Sequence, residues 1–251
     1  MKYYLPLLFT ILGLLAGCNE FQTTQKEPPD IWIDDAACNK LICSLTANGL
    51  EMKTLRLESK AFAPDQKLRI HCSNGKLLRY PSGPELDSLV LKPSGAEKKS
   101  KTITCYFKAG TQSGSSLITA LVNKLQSPPI VINYKPSCPT KAYFTELETT
   151  LLRNGSDPTQ DIITVVLKLE STTGLPTQDL NYSIAFKTPS SHELQILSLG
   201  PYILEPDGSL KVQLTASNKA VGDLTSDTIQ LLISSDCDKI ETSNTLTIAY
   251  Q

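Results

Sequence analysis

Residues 55–68 read Leu-Arg-Leu-Glu-Ser-Lys-Ala-Phe-Ala-Pro-Asp-Gln-Lys-Leu, and residues 167–180 read Leu-Lys-Leu-Glu-Ser-Thr-Thr-Gly-Leu-Pro-Thr-Gln-Asp-Leu. Both stretches contain Leu-x-Leu-Glu-Ser, then four residues, then Pro-x-Gln-x-Leu, and they align without a gap. Each stretch follows an Asn-Gly pair, Asn48-Gly49 in the first and Asn154-Gly155 in the second. An internal repeat of this kind indicates two copies of one structural unit in tandem.

Short alternating runs of apolar and polar residues fill the rest of the chain. In residues 67–72 the alternation puts Leu68, Ile70 and Cys72 on one face of a strand. Asn74-Gly75 supplies a turn signal immediately afterwards. No segment has sustained helical periodicity, so the sequence predicts an all-β fold of the sandwich type. The strand candidates are Ile31–Ile33, Leu41–Leu45, Lys53–Ser59, Lys67–Cys72, Ser88–Leu91, Lys101–Phe107, Ser116–Val122, Ile130–Tyr134, Ala142–Phe144, Asp161–Leu169, Leu180–Phe186, Leu194–Leu199, Leu210–Leu214, Thr228–Ile233 and Thr245–Tyr250.

The predicted boundary between the two units lies at residues 135–139, which read Lys-Pro-Ser-Cys-Pro. Two prolines interrupt the hydrogen-bonded ladder of a sheet, so a strand does not continue through this segment. The first predicted domain therefore comprises residues 30–135, and the second comprises residues 136–251.

The first 18 residues have the layout of an export signal. Lys2 precedes a mostly apolar run that ends at Ala16, and a glycine and Cys18 follow. The run is shorter than the roughly 20 residues that a membrane-spanning helix needs, so a signal peptide over residues 1–17 is predicted. Residues 18–29 are polar and end in two prolines; they cannot bury enough apolar surface to fold and are predicted to form a flexible tether.

Leu15-Ala16-Gly17-Cys18 resembles the lipobox of bacterial lipoproteins. The resemblance implies that Cys18 becomes the mature N-terminus, carries lipid chains such as palmitate, and anchors the protein to membrane lipid. In enteric bacteria an Asp after the lipidated cysteine retains such proteins in the inner membrane. Asn19 stands there instead, so the resemblance implies the outer membrane of a Gram-negative bacterium.

The order of turns and strands resembles that of bacterial immunoglobulin-like domains, in particular the invasin and intimin type. In residues 154–214 an Asn-Gly pair leads into an alternating strand, then Gly174-Leu-Pro176, then the aromatic-ended residues 182–186, and later Asp207-Gly208. The first half follows this order more loosely. The resemblance implies two tandem immunoglobulin-like β-sandwich domains, and it implies a fold rather than an activity.

Six cysteines remain besides Cys18. An even number in an exported protein indicates disulfides rather than free thiols. Cys138 opens the second domain and Cys237 lies near its penultimate strand, so the two are predicted to form a bridge that joins the ends of this domain.

The other four cysteines lie in the first domain. Cys72 and Cys105 are predicted on the inward faces of two strands, which suits a bridge across the sandwich. Cys38 and Cys43 are five positions apart and could close a tight local loop. Six cysteines allow fifteen pairings, and the sequence leaves the pairing of these four open.

The chain is close to neutral, with a net charge of −1. A near-neutral chain lacks the positive field that phosphate backbones attract, so nucleic acid is not expected as a partner. Lys98, Lys99 and Lys101 form only a short basic tip, which is interpreted as a solvated loop.

No set of residues suggests catalysis, since the sequence contains no nucleophile elbow, zinc-helix motif or phosphate loop. His71 and His192 are isolated and are predicted to be surface residues. The paired acids Asp34-Asp35 and Asp236-Cys-Asp238 could contribute to calcium binding, but calcium needs six or more oxygen ligands. No metal site and no cofactor are therefore predicted. The single tryptophan, Trp32, is interpreted as a core anchor, with an exposed contact residue as the alternative.

These observations favour a non-enzymatic, lipid-anchored protein whose two domains act as an adhesive or spacer module at the cell envelope. The alternative is a periplasmic structural subunit of an envelope assembly such as a secretion or pilus machine. Both interpretations require a protein partner, and the sequence does not identify it.

Overall fold

The computed structural model describes residues 27–59, 66–151, 162–187, 194–197, 200–216 and 226–250. Within these ranges the chain is almost entirely β-strand. The predicted signal peptide, Cys18 and most of the predicted tether lie outside the described residues. No helix within these ranges is long and apolar enough to cross a membrane.

The first sandwich contains ten strands and one short helix: β1 (Asp30–Ile33), β2 (Ile42–Thr46), β3 (Met52–Glu58), β4 (Leu68–Cys72), β5 (Lys76–Leu78), β6 (Ser88–Leu91), α1 (Gly95–Ser100), β7 (Thr102–Lys108), β8 (Gly114–Val122), β9 (Leu125–Gln126) and β10 (Ile130–Lys135). One sheet has the strand order β1-β3-β7-β5. The other has the order β2-β10-β8-β4-β6, with β9 paired to the end of β8.

The described residues of the second sandwich form ten further strands: β11 (Lys141–Phe144), β12 (Glu148–Leu151), β13 (Ile162–Glu170), β14 (Ser183–Phe186), β15 (Leu194–Ile196), β16 (Ser209–Ala216), β17 (Ser226–Ile229), β18 (Leu231–Ser234), β19 (Lys239–Glu241) and β20 (Leu246–Tyr250). One sheet has the order β11-β13-β16-β15. The other strands pair in the orders β12-β20-β17 and β14-β18-β19.

The two sandwiches share most of their topology, although β6 and α1 of the first have no counterpart among the described residues of the second. The order β1-β3-β7-β5 corresponds to β11-β13-β16-β15, and the parallel pair β2 and β10 corresponds to the parallel pair β12 and β20. The long strand β8 corresponds to β17 and β18 together, because its two halves pair with β10 and β4 as β17 and β18 pair with β20 and β14. The chain thus contains two tandem immunoglobulin-like β-sandwiches.

The repeated sequence occupies equivalent central strands. Leu55 and Leu57 lie on β3, Leu167 and Leu169 lie on β13, and all four side chains are buried. Full burial of a leucine side chain stabilises a fold by roughly 1.5–3 kcal/mol. The Leu-x-Leu alternation therefore fixes which face of each central strand points into its core.

Each sandwich has its own hydrophobic core. The buried apolar residues form one cluster that runs from Ile31 to Tyr134 and a second that runs from Ala142 to Ile248. No residue belongs to both clusters, so most of the apolar burial that stabilises one sandwich is independent of the other.

The chain enters the first sandwich at one end and leaves the second at the opposite end. Asp30 pairs with Glu58, the last residue of β3, whereas β3 begins beside the contact between the two sandwiches. In the second sandwich, Lys141 pairs with Glu170 near that contact, and β20 runs away from it toward Tyr250. The two sandwiches are therefore arranged end to end.

Several details differ from the sequence-based prediction. The single strand predicted over residues 228–233 is in fact two strands, β17 and β18. They are separated by Gln230 and belong to different sheets. The helix α1 was not predicted because it is only six residues long; Ser94 begins it with a capping box that includes Glu97. The short strands β5, β9, β12 and β19 were also missed.

Two disulfides are present in the described residues. Cys138 is bonded to Cys237 across a sequence separation of 99, and Cys38 is bonded to Cys43 across a separation of 5. In the chain-entropy model, a bridge that closes a loop of about 100 residues stabilises the fold by roughly 4–5 kcal/mol, and a very short loop gives less. The Cys138–Cys237 bridge is therefore the larger covalent contribution.

Of the pairings that the sequence left open in the first domain, the bridge between Cys72 and Cys105 is not formed. Both residues are buried in the first core, on β4 and β7, and both are free thiols. The Cys72 thiol donates weakly to the carbonyl oxygens of Gly75 and Asp87, at 3.5 and 3.6 Å. Burial raises the pKa of Cys72 to about 11 and that of Cys105 to about 12, so both behave as small apolar core residues.

These pKa values predict the reactivity of the two thiols in a Cys18→Ala form of the protein. In the folded chain at pH 8, iodoacetamide should label neither cysteine, because only the thiolate reacts and burial suppresses it. In denaturant without reductant, mass spectrometry should find two alkyl groups. A chain that gains none after unfolding would contain the Cys72–Cys105 bridge and would contradict this assignment.

Candidate functional site

The contact between the two sandwiches is centred on Asn48, which lies in the turn between β2 and β3 and is buried. Its side-chain oxygen accepts hydrogen bonds from the amides of Leu50 and Glu51, both at 2.9 Å. Its side-chain nitrogen donates to the carbonyl oxygen of Thr173 in the second sandwich at 2.7 Å. The carbonyl oxygen of Asn48 accepts from the amide of Leu175 at 3.1 Å. One residue therefore shapes its own turn and binds the other sandwich.

A second set of hydrogen bonds surrounds Thr177, whose side chain is fully buried. Its hydroxyl donates to the carbonyl oxygen of Ala47 at 3.2 Å and accepts from the amide of Ser137 at 2.7 Å. The amide of Thr177 in turn donates to the carbonyl oxygen of Ser137 at 2.9 Å. Thr177 thus joins the first sandwich, the connecting segment and the second sandwich.

A third set lies on the loop between β7 and β8. The Thr111 hydroxyl donates to the side-chain oxygen of Gln178 at 2.9 Å, and the amide of Gln178 donates to the carbonyl oxygen of Thr111 at 2.8 Å. The carboxylate of Asp179 accepts from both the amide and the hydroxyl of Ser113, at 2.8 and 2.7 Å. Hydrogen bonds to a charged group are among the stronger ones, at roughly 1.5–3 kcal/mol each.

These three sets define the junction, which comprises residues 47–50 and 111–113 of the first sandwich and residues 173–179 of the second. Gly174 lets the two backbones approach closely here. A Cβ atom at Gly174 would lie 2.8 Å from the Leu50 side chain and 3.0 Å from the carbonyl oxygen of Asn48, and its φ of +133° also favours glycine.

A groove of about 450 Å³ opens beside the junction. Gln112 contributes from the first sandwich, and residues 178–181 and 201–206 contribute from the second. A neighbouring hollow of about 350 Å³ shares Asn181 and Pro201 with the groove and extends to Asp236. The two depressions adjoin at Asn181 and Pro201 on the surface of the second sandwich, and the groove borders the junction.

Ile203 is the most exposed large apolar side chain of the described residues, at 81%. It stands in the wall of the groove between Tyr202 and Leu204, which are both buried. The Tyr182 hydroxyl donates to the carbonyl oxygen of Thr177 at 2.9 Å, so the floor beneath this wall is tied to the junction. Ile203 is therefore a single exposed aliphatic side chain at the rim of a polar groove rather than part of a contiguous apolar patch.

The carboxylates of the groove are already engaged within the protein. Asp179 binds Ser113, and Asp236 accepts hydrogen bonds from the amide and side chain of Asn181 at 3.2 and 3.0 Å. Glu205 lies 3.5 Å from the ammonium group of Lys211. Burial and nearby acidic groups raise the pKa of Tyr182. Among the described residues that line the groove, there is no nucleophile beside a base.

The histidines and paired acids considered in the sequence do not come together within the described residues. His71 is exposed on β4, and His192 lies outside the described residues. Asp34 pairs with Arg56 at 2.8 Å, and Asp35 pairs with Lys53 at 2.6 Å, which holds the pKa of Asp35 below its usual value. No group of three or more potential metal ligands occurs in the described residues.

Trp32 is not a core anchor. Ile31 and Ile33 on either side of it point into the core, so strand alternation puts Trp32 on the outer face of β1, where it is half-buried opposite Arg56. The prediction that Trp32 lies in the core was wrong because it rested on the residue type. The alternation of side chains along a strand puts Trp32 on the face opposite to Ile31 and Ile33.

The groove was missed at the sequence level, although residues 200–206 carry a signal. They read Gly-Pro-Tyr-Ile-Leu-Glu-Pro, in which aliphatic residues stand between two prolines and outside any strand. The junction was missed for a different reason. Asn48 and Thr177 are 129 positions apart, and nothing local in either segment indicates that they meet.

Substitution of Gly174 tests the junction. We expect Gly174→Ala to loosen the contact between the sandwiches by about 1–3 kcal/mol, because the added Cβ forces the two backbones apart. Small-angle X-ray scattering should then detect a broader range of interdomain distances, while both cores retain their stability. Gly114→Ala is the matched control, since its φ is +91° but no atom lies within 4 Å of the place that its Cβ would occupy. Equal scattering changes in the two variants would contradict a specific role for Gly174.

No protein-family model matches the sequence, and no curated protein matches it. Among solved structures, the chain is similar to the adhesin InvE of Yersinia pseudotuberculosis, at 14% identity over 88% of this chain and 58% of that chain, with a TM-score of 0.47. It is also similar to invasin, a bacterial integrin-binding protein, at 15% identity over 88% of this chain and 38% of that chain, with a TM-score of 0.48. The Escherichia coli adhesin FdeC is similar at 9% identity over 90% and 64% of the two chains, with a TM-score of 0.33. This chain spans less than two thirds of each of these structures.

Proposed function

We propose that the protein is a non-enzymatic adhesive or spacer module that is anchored by lipid at Cys18 to the cell envelope. The observation that carries this proposal is the polar junction, centred on the buried Asn48 and Thr177, which holds two sandwiches end to end. The proposed anchor precedes one end of this arrangement, and the groove with Ile203 lies in the second sandwich, beyond the junction. A partner bound at the groove would thus be held at a distance from the membrane.

The polar character of the junction supports a holding function. Two sandwiches that were joined only by a peptide linker would reorient freely, and a bound partner would then have no fixed position. Here Asn48, Thr177 and Asp179 each make at least two hydrogen bonds between or around the sandwiches. These bonds orient the groove relative to the end of the first sandwich at which the chain enters.

The anchor is tested by replacing the proposed lipidated cysteine. Wild-type protein should stay in the membrane fraction after a high-salt wash, and Cys18→Ala should appear in the soluble fraction, because it lacks the acyl chains that each contribute about 0.8 kcal/mol per buried methylene. A Cys18→Ala protein that remains with salt-washed membranes would contradict the anchor.

Exposure on the cell surface is tested by adding protease to intact cells. An adhesive module should be degraded, whereas a periplasmic structural subunit, the alternative function, should be protected until the outer membrane is opened. A periplasmic marker protein serves as the control for cell integrity. Protection of the chain in intact cells would favour the alternative.

A further inference from the structure

The two halves of the chain carry opposite net charge. Residues 30–135 contain 15 Lys and Arg against 9 Asp and Glu, and residues 136–251 contain 7 Lys and Arg against 14 Asp and Glu. The net charges of the two halves are thus +6 and −7, and they nearly cancel in the overall charge of −1. The first half alone therefore carries enough positive charge to attract an anionic partner, which the near-neutral charge of the whole chain does not suggest.

The fold brings six lysines to one end of the first sandwich, the end opposite the junction. This end holds the start of β4, the ends of β6 and β8, and the helix α1 before the start of β7. We refer to this surface as the basic end. Its members are Lys67, Lys92, Lys98, Lys99, Lys101 and Lys124.

The lysines of the basic end are available for binding. All six are exposed, and none of them forms an ion pair with another described residue. Three of the five other described lysines of the first sandwich are paired: Lys53 with Asp35, Lys76 with Asp87 and Lys108 with Glu85. Lys40 and Lys135 are unpaired and lie elsewhere, so six of the eight unpaired lysines described in this sandwich are at one end.

The few acidic groups near the basic end do not neutralise it. Glu97 on α1 is bound by Arg79, at 2.5 Å, and by the amide of Ser94. Asp30 and Glu58 are exposed on the paired ends of β1 and β3, beside the start of β7 and Lys101, and the exposed Glu27 precedes β1, whereas β4, β6 and β8 belong to the other sheet. A positive potential therefore remains over the side where β4, β6 and β8 end.

Two of these lysines occupy backbone positions that favour glycine. Lys101 has a φ of 60° and Lys124 a φ of 70°, and together with Asn123 they are the only non-glycine residues with positive φ in the described chain. Asn123 and Lys124 form the tight turn between β8 and β9, where Asn-Gly is the common pair. Lys101 is the left-handed residue that ends α1, so these two turns fix the backbone positions from which both side chains project at this end.

We propose that the basic end binds the anionic headgroups of a lipid bilayer. The chain enters the first sandwich at Asp30, at this same end. The proposal rests on the proposed function for one point, which is that a lipid at Cys18 holds this end close to a membrane. Residues 19–29 can span at most about 35–40 Å, so the basic end can reach within a Debye length of roughly 8 Å from the lipid surface.

The opposite charge of the second sandwich gives the contact an orientation. An anionic surface attracts the basic end and repels the acidic second sandwich. The end-to-end arrangement then points away from the bilayer, with the first sandwich between the membrane and the groove beside the junction. The lipid anchor alone would set only a distance, whereas the basic end sets a direction.

The test uses the full mature chain with Cys18→Ala, so that it carries no lipid. Sedimentation should measure its binding to phosphatidylcholine vesicles with and without phosphatidylglycerol, at low and physiological salt. We expect binding only to the anionic vesicles and weaker binding at higher salt. Each lysine near an anionic surface contributes about fivefold to binding, so the triple variant Lys67→Glu, Lys99→Glu, Lys124→Glu should bind at least about a hundredfold more weakly.

The matched control is the triple variant Lys40→Glu, Lys135→Glu, Lys239→Glu. It changes the net charge by the same amount at exposed lysines that lie away from the basic end. It should retain most of the vesicle binding. The single variant Lys124→Gly relieves the strained turn, so it should fold at least as well as the parent protein and still bind more weakly by about fivefold.

Several outcomes would overturn the proposal. These are equal binding to neutral and anionic vesicles, equal losses in the two triple variants, or no vesicle binding at all. Displacement by inorganic phosphate but not by chloride at equal ionic strength would indicate a site for free phosphate instead. Salt-sensitive self-association without vesicle binding would indicate that the basic end binds the acidic second sandwich of another copy of the protein. Because the tested chain lacks Cys18, failure here leaves the separate membrane-fractionation test of the anchor unaffected.

Discussion

The arrangement of the two sandwiches depends on the buried amide of Asn48. A buried amide that loses a partner costs about 1–3 kcal/mol, and this one has two acceptor bonds within its own turn and a donor bond to Thr173. All three are satisfied together only when the second sandwich sits in one position. The cores are separately hydrophobic and the junction is polar. Stability is therefore local to each sandwich, while geometry is set by a few hydrogen bonds between them.

The sequence predicted the fold well because alternation and turn chemistry are local. The paired leucines of the repeat fix the inward face of each central strand, and Asn-Gly or Asp-Gly pairs mark the ends of strands. The break at Gln230 could not be predicted, since residues 228–233 read as one continuous strand and only tertiary pairing assigns the two parts to different sheets. The cysteine count was also a poor guide for Cys72 and Cys105, because burial alone makes a thiol a stable core residue.

The candidate sites lie beyond the reach of sequence reasoning for a common physical reason. The junction joins loops that are far apart in the chain, and the basic end gathers lysines from Lys67 to Lys124. Of the six lysines, only Lys98, Lys99 and Lys101 are close together in the sequence, and this group of three was interpreted as a solvated loop. Charge counted over the whole chain conceals the contrast between the halves. The same count made over each domain separately reveals that contrast from the sequence alone.

The parallel strand pairs also determine how the protein carries tension. In each sandwich a strand near the start of the domain lies parallel to the last strand, as β2 lies beside β10 and β12 beside β20. A pull between the two ends of a domain loads these hydrogen bonds in shear, so that several must break together rather than one after another. In the second sandwich the Cys138–Cys237 bond also limits how far the chain can extend once its strands separate. Single-molecule stretching would therefore record a shorter extension for the second domain than for the first, and reduction would lengthen it.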